Sequence, residues 1–467
     1  MRWLLSSLLL AAAGLVQALS TTGNRLLVVV DDIADKDKYS KFWTDLESRG
    51  FVLKFQTPKS TDLSLFKLGA LAYDHLILLP SKSKGLGPNL TPNILVDYIN
   101  KQGNVLLTLS GDGSIPASLA SVLLEFDITL PPEKNAVVVD HFNYEEKTAA
   151  EKHDVLEIQS PKQLRGDVKD YFNVGGMLAV PRAVGQVLGN SNPLITPILR
   201  APDTAYSYNP KDANEALEDV FASGSQLSLI TAFQGRNSAR LTVLGSSELL
   251  EDKWFDAKVK GVRPGETLVQ SSNQKFAQAL SQWTFQEIGV LKVGRIQHHL
   301  NEAPVKGSNA SSDIAEINPE IYRIKNDVTY SIELSEWNVD HYEPYTPPAG
   351  DVVQLEFSML SPFHRLKLDA TSRTANSTIY STSFKLPDQH GIFNFLVNYK
   401  RPYLSNVFEK RTVTVRHFAH DEWPRSFVIT GAYPWIAGIG VTVGGWLVFV
   451  AVWLFSKPAQ TSTKKTQ

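Results

Sequence analysis

The sequence contains no cysteine in 467 residues. That excludes disulfides, a cysteine nucleophile and any thiolate metal site, so each domain must be held by its own apolar core. Excess charge of either sign is missing too. With 46 Lys and Arg against 48 Asp and Glu the net charge is -2, so the basic footprint of nucleic-acid binding is absent, as are its motifs. Neither a GxSxG nucleophile elbow nor an HExxH zinc pair occurs, and no Walker lysine follows the Gly111-Asp112-Gly113 turn. No catalytic constellation, metal site or cofactor site is therefore legible. The composition, 43% hydrophobic and 20% charged, gives no sign of global disorder and supplies enough apolar material for several packed domains.

What the chain does have is an apolar run at each end. Met1-Arg2-Trp3 precedes apolar residues 4–16 and then Val16-Gln17-Ala18, the pattern of a secretory signal over residues 1–18. This run is shorter than the roughly 20 residues that span a bilayer. Residues 435–455 carry no charge and predict a transmembrane helix over 433–455, with Tyr433, Trp435 and Trp453 at the interfaces. Lys457, Lys464 and Lys465 follow the span, so the tail 456–467 is expected in the cytosol and the N-terminal body in the lumen, as in a single-pass type I protein. Lys464 and Lys465 stand in the register of a C-terminal dilysine signal for return to the endoplasmic reticulum. Gly440 and Gly444 form a GxxxG step, a face on which another membrane helix can pack closely. Sequons occur at Asn89, Asn309 and Asn376. Thr91-Pro92 disfavours the first, leaving Asn309 and Asn376 as the expected glycosylation sites.

Between the ends the texture changes once. Residues 25–30, 75–79 and 105–109 are continuous apolar, largely β-branched runs, the mark of strands buried on both faces of a parallel sheet. Helical stretches are expected at 38–49, 63–71 and 92–100, which predicts an open, mostly parallel α/β sheet over residues 19–135. Residues 136–300 read as a second α/β or mixed unit, with strands at 136–140, 226–233 and 239–245 and a helix at 273–285. The polar stretch 301–313 suits a linker, placed at 301–320. Beyond it the period becomes two, as in Val328-Tyr330-Ile332-Leu334 and Phe393-Phe395-Val397-Tyr399, and predicts an all-β sandwich-like domain over 321–420.

In open α/β sheets ligands collect beyond the carboxyl ends of the strands, which makes Asp31, Asp32 and Asp112 a candidate sugar-binding edge. His298-His299 is a poor metal pair, because neighbours on a strand point to opposite faces. His417, His420, Asp421 and Glu422 are better spaced, yet juxtamembrane polar residues need no ion to explain them.

Longer passages carry a resemblance. RGFVLKFQTPKSTDLSLFKLGALAYDHLILLPS at 49–81, GRNSARLTVLGSSELLEDKWF at 235–255, VGRIQHH at 293–299 and FKLPDQHGIFNFLVNYKRPYLS at 384–405 resemble the 48-kilodalton subunit family of eukaryotic oligosaccharyltransferase. The resemblance implies a non-catalytic subunit of the complex that transfers preassembled oligosaccharide from dolichyl diphosphate to Asn in Asn-x-Ser/Thr of nascent chains. It implies roles in assembly, stability and glycan or acceptor presentation. It also implies partnership with other subunits, including a multispanning catalytic one, contact with endoplasmic reticulum lipid and with glycan, and no cofactor or catalytic residue to carry over. The residues alone leave open a free-standing luminal sugar-binding protein or glycosidase.

Overall fold

The computed structural model describes residues 20–81, 83, 85–113, 115–208, 220–260, 268–301, 316–420, 422–423 and 430–457. The signal segment, Asn309, Asp421, Lys464 and Lys465 lie outside them. The first apolar run forms β1 (Arg25–Val29), followed by α1 (Ser40–Ser48) and β2 (Val52–Gln56). Then come β3 (His75–Leu78), α2 (Pro92–Asn100), β4 (Asn104–Thr108), α3 (Ala117–Glu125) and β5 (Ile128–Thr129). The helix expected at 63–71 is instead a small hairpin, Phe66–Lys67 against Ala70–Leu71. Its turn places Leu68 and Gly69 at φ 51 and 83, a left-handed step no helix accommodates.

The sheet is completed from far along the chain by β6 (Gln186–Leu188), β7 (Ile195–Arg200), β8 (Leu227–Gln234) and β9 (Arg240–Leu244). Its order is β2-β1-β3-β4-β9-β8-β6-β5, with β7 also on β8, nine strands in all. The first five run parallel and the rest antiparallel. One sheet thus takes strands from both α/β stretches, 19–135 and 136–300. Alternate residues of β1 face different cores. Leu26 and Val28 pack with Phe42, Trp43 and Leu46 of α1 and with Phe276 and Leu280 of α4 (Asn273–Thr284). Leu27 and Val29 pack with Leu95 and Tyr98 of α2 and Leu119 and Leu123 of α3. Burial on both faces is what a continuous apolar strand requires.

The sandwich opens earlier than its period suggests, at β10 (Ile288–Leu300). It continues with β11 (Ile321–Arg323), β12 (Asp327–Asn338), β13 (His341–Pro344), β14 (Gln354–Ser358) and β15 (Pro362–Lys367). It closes with β16 (Asp369–Arg373), β17 (Thr378–Lys385), β18 (Gly391–Tyr399) and β19 (Val407–Arg416). One sheet has the order β10-β12-β17-β16 with β13 on β12, the other β11-β19-β18-β14-β15. Because β10 pairs with β12 along its length, segment 301–320 connects strands within one sandwich. The outward-facing half of β10 is polar, which hides its period.

The α/β body and the sandwich meet through packing of Phe172 and Trp283 on Tyr403 and through polar contacts set among these rings. Arg240, fully buried, donates to the carbonyls of Trp283 at 2.6 Å, Ile288 at 2.7 Å and Gly289 at 2.6 Å. Burial lowers its pKa, to about 9, so it stays charged at neutral pH. Trp283 Nε1 donates to Tyr403 O at 2.8 Å, and Glu336 accepts from Lys169 at 2.5 Å and Tyr171 at 2.7 Å. Gly289 sits at φ 68, where a Cβ would lie 2.7 Å from Tyr403 O. Only glycine fits so close a crossing.

Candidate functional site

Since β1, β3, β4 and β9 are parallel, their carboxyl ends share one edge, and each is capped by polar residues. Asp31 follows β1 and accepts from Ser81 Oγ at 2.6 Å. Asp32 accepts from Ala34 N at 3.0 Å, capping the 3-10 turn Ile33–Tyr39. Asp112 follows β4 and pairs with Arg182 at 2.5 Å, and the other arm of Arg182 reaches Glu248 at 2.6 Å. Burial opposes the charge of Arg182, but Glu248 and Asp112 outweigh it and raise its pKa. Gly111 admits the crossing chain, since a Cβ there would lie 2.2 Å from Val137 Cγ1 and 2.9 Å from Arg182 O.

The edge therefore assembles the three predicted carboxylates and engages each of them locally. The cleft lined by Pro80, Ser81, Thr108, Ser110 and Asp112 measures about 90 Å³, against the roughly 300 Å³ at which small-molecule pockets begin. Sequence reasoning missed Arg182, which follows the distant strand Met177–Pro181, and Glu248, which lies in the turn Ser247–Leu250 after β9. It also missed an imidazole pair beside the body's edge, His141 and His153, whose Nδ1 atoms lie 2.5 Å apart, with Tyr206 OH 2.9 Å from His141 Nε2. Among the described residues no group of three or more His, Cys, Asp or Glu could hold a metal ion.

The two histidine motifs resolve differently. His298 is buried, bonded to Tyr322 OH at 2.6 Å and stacked on Phe395 at 4.9 Å. Desolvation pushes its pKa down to about 4, as expected of a core imidazole. Glu422 accepts both arms of Arg416 at 2.7 Å and the Ala419 N–H at 2.8 Å. The Arg416 bonds hold its carboxyl at about 2. Glu422 thus ties the chain after β19 to the sandwich.

The last element, α5 (Tyr433–Phe455), is 23 residues without a charged side chain, and none of its described residues is buried against the rest of the chain. It is long and apolar enough to cross a bilayer. A Cβ at Gly440 or Gly444 would meet no atom within 4 Å, so that face is open. Asn376 is exposed in the turn between β16 and β17.

Comparison with known proteins covers nearly the whole chain. Residues 17–287 match the OST48 N-terminal domain and residues 306–457 the OST48 middle domain. The dolichyl-diphosphooligosaccharide–protein glycosyltransferase 48 kDa subunit of Caenorhabditis elegans is 32% identical over 460 residues, 98% of this chain and 96% of that protein. Subunit wbp1 of the same enzyme from Schizosaccharomyces pombe is 33% identical over 447 residues, 96% of this chain and 94% of that one. The 48 kDa subunit of Arabidopsis thaliana is 30% identical over 440 residues, with 93% and 94% covered.

Proposed function

The chain belongs to the OST48 family, and on that premise we propose that it serves as a non-catalytic, luminally oriented subunit of oligosaccharyltransferase. It is a subunit of that complex, which acts at the endoplasmic reticulum membrane and glycosylates protein asparagines. The observation carrying this is similarity from 93% to 98% of the chain to subunits of one enzyme. Two features support the finer reading. The carboxylates at the sheet edge are engaged in caps and ion pairs, and the body and sandwich are joined by buried polar contacts suited to a scaffold. In this reading α5 is the single span, Gly440 and Gly444 its packing face, Lys464 and Lys465 the retrieval address, and Asn376 a glycan acceptor. Its contacts are the other subunits and the surrounding lipid. We divide the chain into a body ending before β10, a sandwich from β10 to β19, the span and the tail.

Purification of the tagged chain in mild detergent should recover a multispanning glycosyltransferase together with oligosaccharide transfer to an acceptor peptide. A stable, monodisperse chain recovered alone would overturn the assignment. Transfer lost on Asp31→Asn or Asp112→Asn, with the complex intact, would overturn its non-catalytic part.

A further inference from the structure

The sandwich has one end toward the body and one end away from it. Pairings Ser358↔Pro362, Ser358↔Asn394, Gly391↔Val415 and Arg323↔Arg416 gather the β14–β15 turn, the start of β18 and the exit of β19 at the far end. There the turn presents Leu360, 99% exposed, with Ile392 63% exposed beside it. An apolar residue at the tip of a hairpin buries nothing for this chain.

The segment after β19 folds back onto the same end. Phe418 and Trp423 rings lie 5.1 Å apart, the Arg323 guanidinium lies 5.3 Å above Phe418, and Trp423 remains 49% exposed. From Trp423 the chain has only the steps to Tyr433 before α5 begins, a reach of at most about 35 Å at full extension. The 3-10 turn Thr430–Ala432 shortens it further. The far end is therefore tethered close to where α5 enters the bilayer. Two of the cations at this end are paired within the chain, Lys325 with Asp388 at 2.8 Å and Arg416 with Glu422 at 2.7 Å. The Leu, Ile and Trp side chains exposed at the tip suit the interface between headgroup and acyl chain.

We propose that the far end of the sandwich docks on the lipid surface, with Leu360 and Ile392 inserted at the interface and Trp423 at headgroup level. The inference rests on α5 spanning the bilayer. Insertion is apolar and so is independent of the anionic lipid fraction. This orients the body away from the membrane, with the sandwich as a spacer.

Because this chain has no cysteine, a label can be placed at one chosen position before it is assembled with its partners. Single variants Leu360→Cys, Leu68→Cys on the body hairpin, where Leu68 is 101% exposed, and Val448→Cys within α5 are labelled with NBD. Each is measured in the intact complex in nanodiscs carrying nitroxide lipids. The label at 360 should shift to the blue and lose at least about half its emission to headgroup-proximal nitroxide, equally in neutral and anionic discs, while the label at 68 is unaffected. Quenching at 448 without quenching at 360 overturns the docking and keeps the span. Quenching at neither overturns the span itself. A label at 360 that is shielded from water but not quenched assigns the tip to a protein partner and overturns the proposal.

Discussion

The two ends of the sandwich differ in what covers them. The body end is closed, with Phe172, Trp283 and Tyr403 packed together and polar groups set among them: Arg240 serves three carbonyls, Arg49 pairs with buried Glu287, and Glu336 accepts from Lys169 and Tyr171. The far end is apolar and open, with Leu360 and Ile392 facing outward. Buried polar contacts are directional and fix how two units sit, whereas exposed apolar side chains are non-directional and await a surface. One end therefore sets internal geometry and the other meets what lies outside the chain.

The largest expected effect comes from opening the closed end. Arg240→Met takes the charged donor from the buried carbonyls of Trp283, Ile288 and Gly289, leaving the first to Gln286 N at 3.2 Å and the last to Ser405 N at 3.0 Å, at a cost of about 3–5 kcal/mol. Thermal unfolding of the detergent-solubilised chain should show the loss, and an unchanged midpoint would mean the junction is no weld.

The next effect depends on pH, with opposite sign at the two ends of β10. Burial pushes Glu287, at the body end, from 4.5 up to about 7 despite Arg49. Between these values the folded state keeps a proton the unfolded state has released, so stability falls as pH rises through the window. His298, near the far end, is pushed from 6.5 down to about 4 by desolvation, with Arg411 adding to it. Here the unfolded state takes up the proton first, and stability falls as pH drops. Each limb has a slope of at most about 1.4 kcal/mol per pH unit. Glu287→Gln should flatten the first limb and His298→Phe the second in denaturation midpoints measured from pH 4 to 8.

The smallest effect is expected at the sheet edge. The Arg182–Asp112 pair is exposed, 37% and 58% by side chain, so Asp112→Asn should cost no more than about 1 kcal/mol. A larger shift in the unfolding midpoint would mean the edge, too, is a structural joint.

Much of the fold is visible in the residues, for reasons that also explain the failures. β1, β3 and β4 are buried on both faces and declare themselves as unbroken apolar runs, and β12 and β18 declare themselves by period two. β10 does neither, because its second half alternates through Arg295, Gln297 and His299 on an outer face with little apolar contrast. The hairpin at 66–71 mimics a helix since Leu63, Leu65, Phe66 and Leu71 are apolar at mixed spacing, while the turn is decided by Leu68-Gly69. At the candidate edge the aspartates were legible because they end strands. Arg182, whose two arms neutralise Asp112 and Glu248, follows a strand from far along the chain with no local signal, whereas Glu248 follows β9 and could have been read as the aspartates were.

The placement of β9 has a consequence for synthesis. β4 needs β9 on its outer edge, yet about 130 residues separate the two, some 10 seconds of elongation at typical rates. Throughout that interval Asn104–Thr108 presents a bare row of amide and carbonyl groups, the kind of template that recruits foreign strands. Until Arg240–Leu244 is delivered, that edge has no native partner.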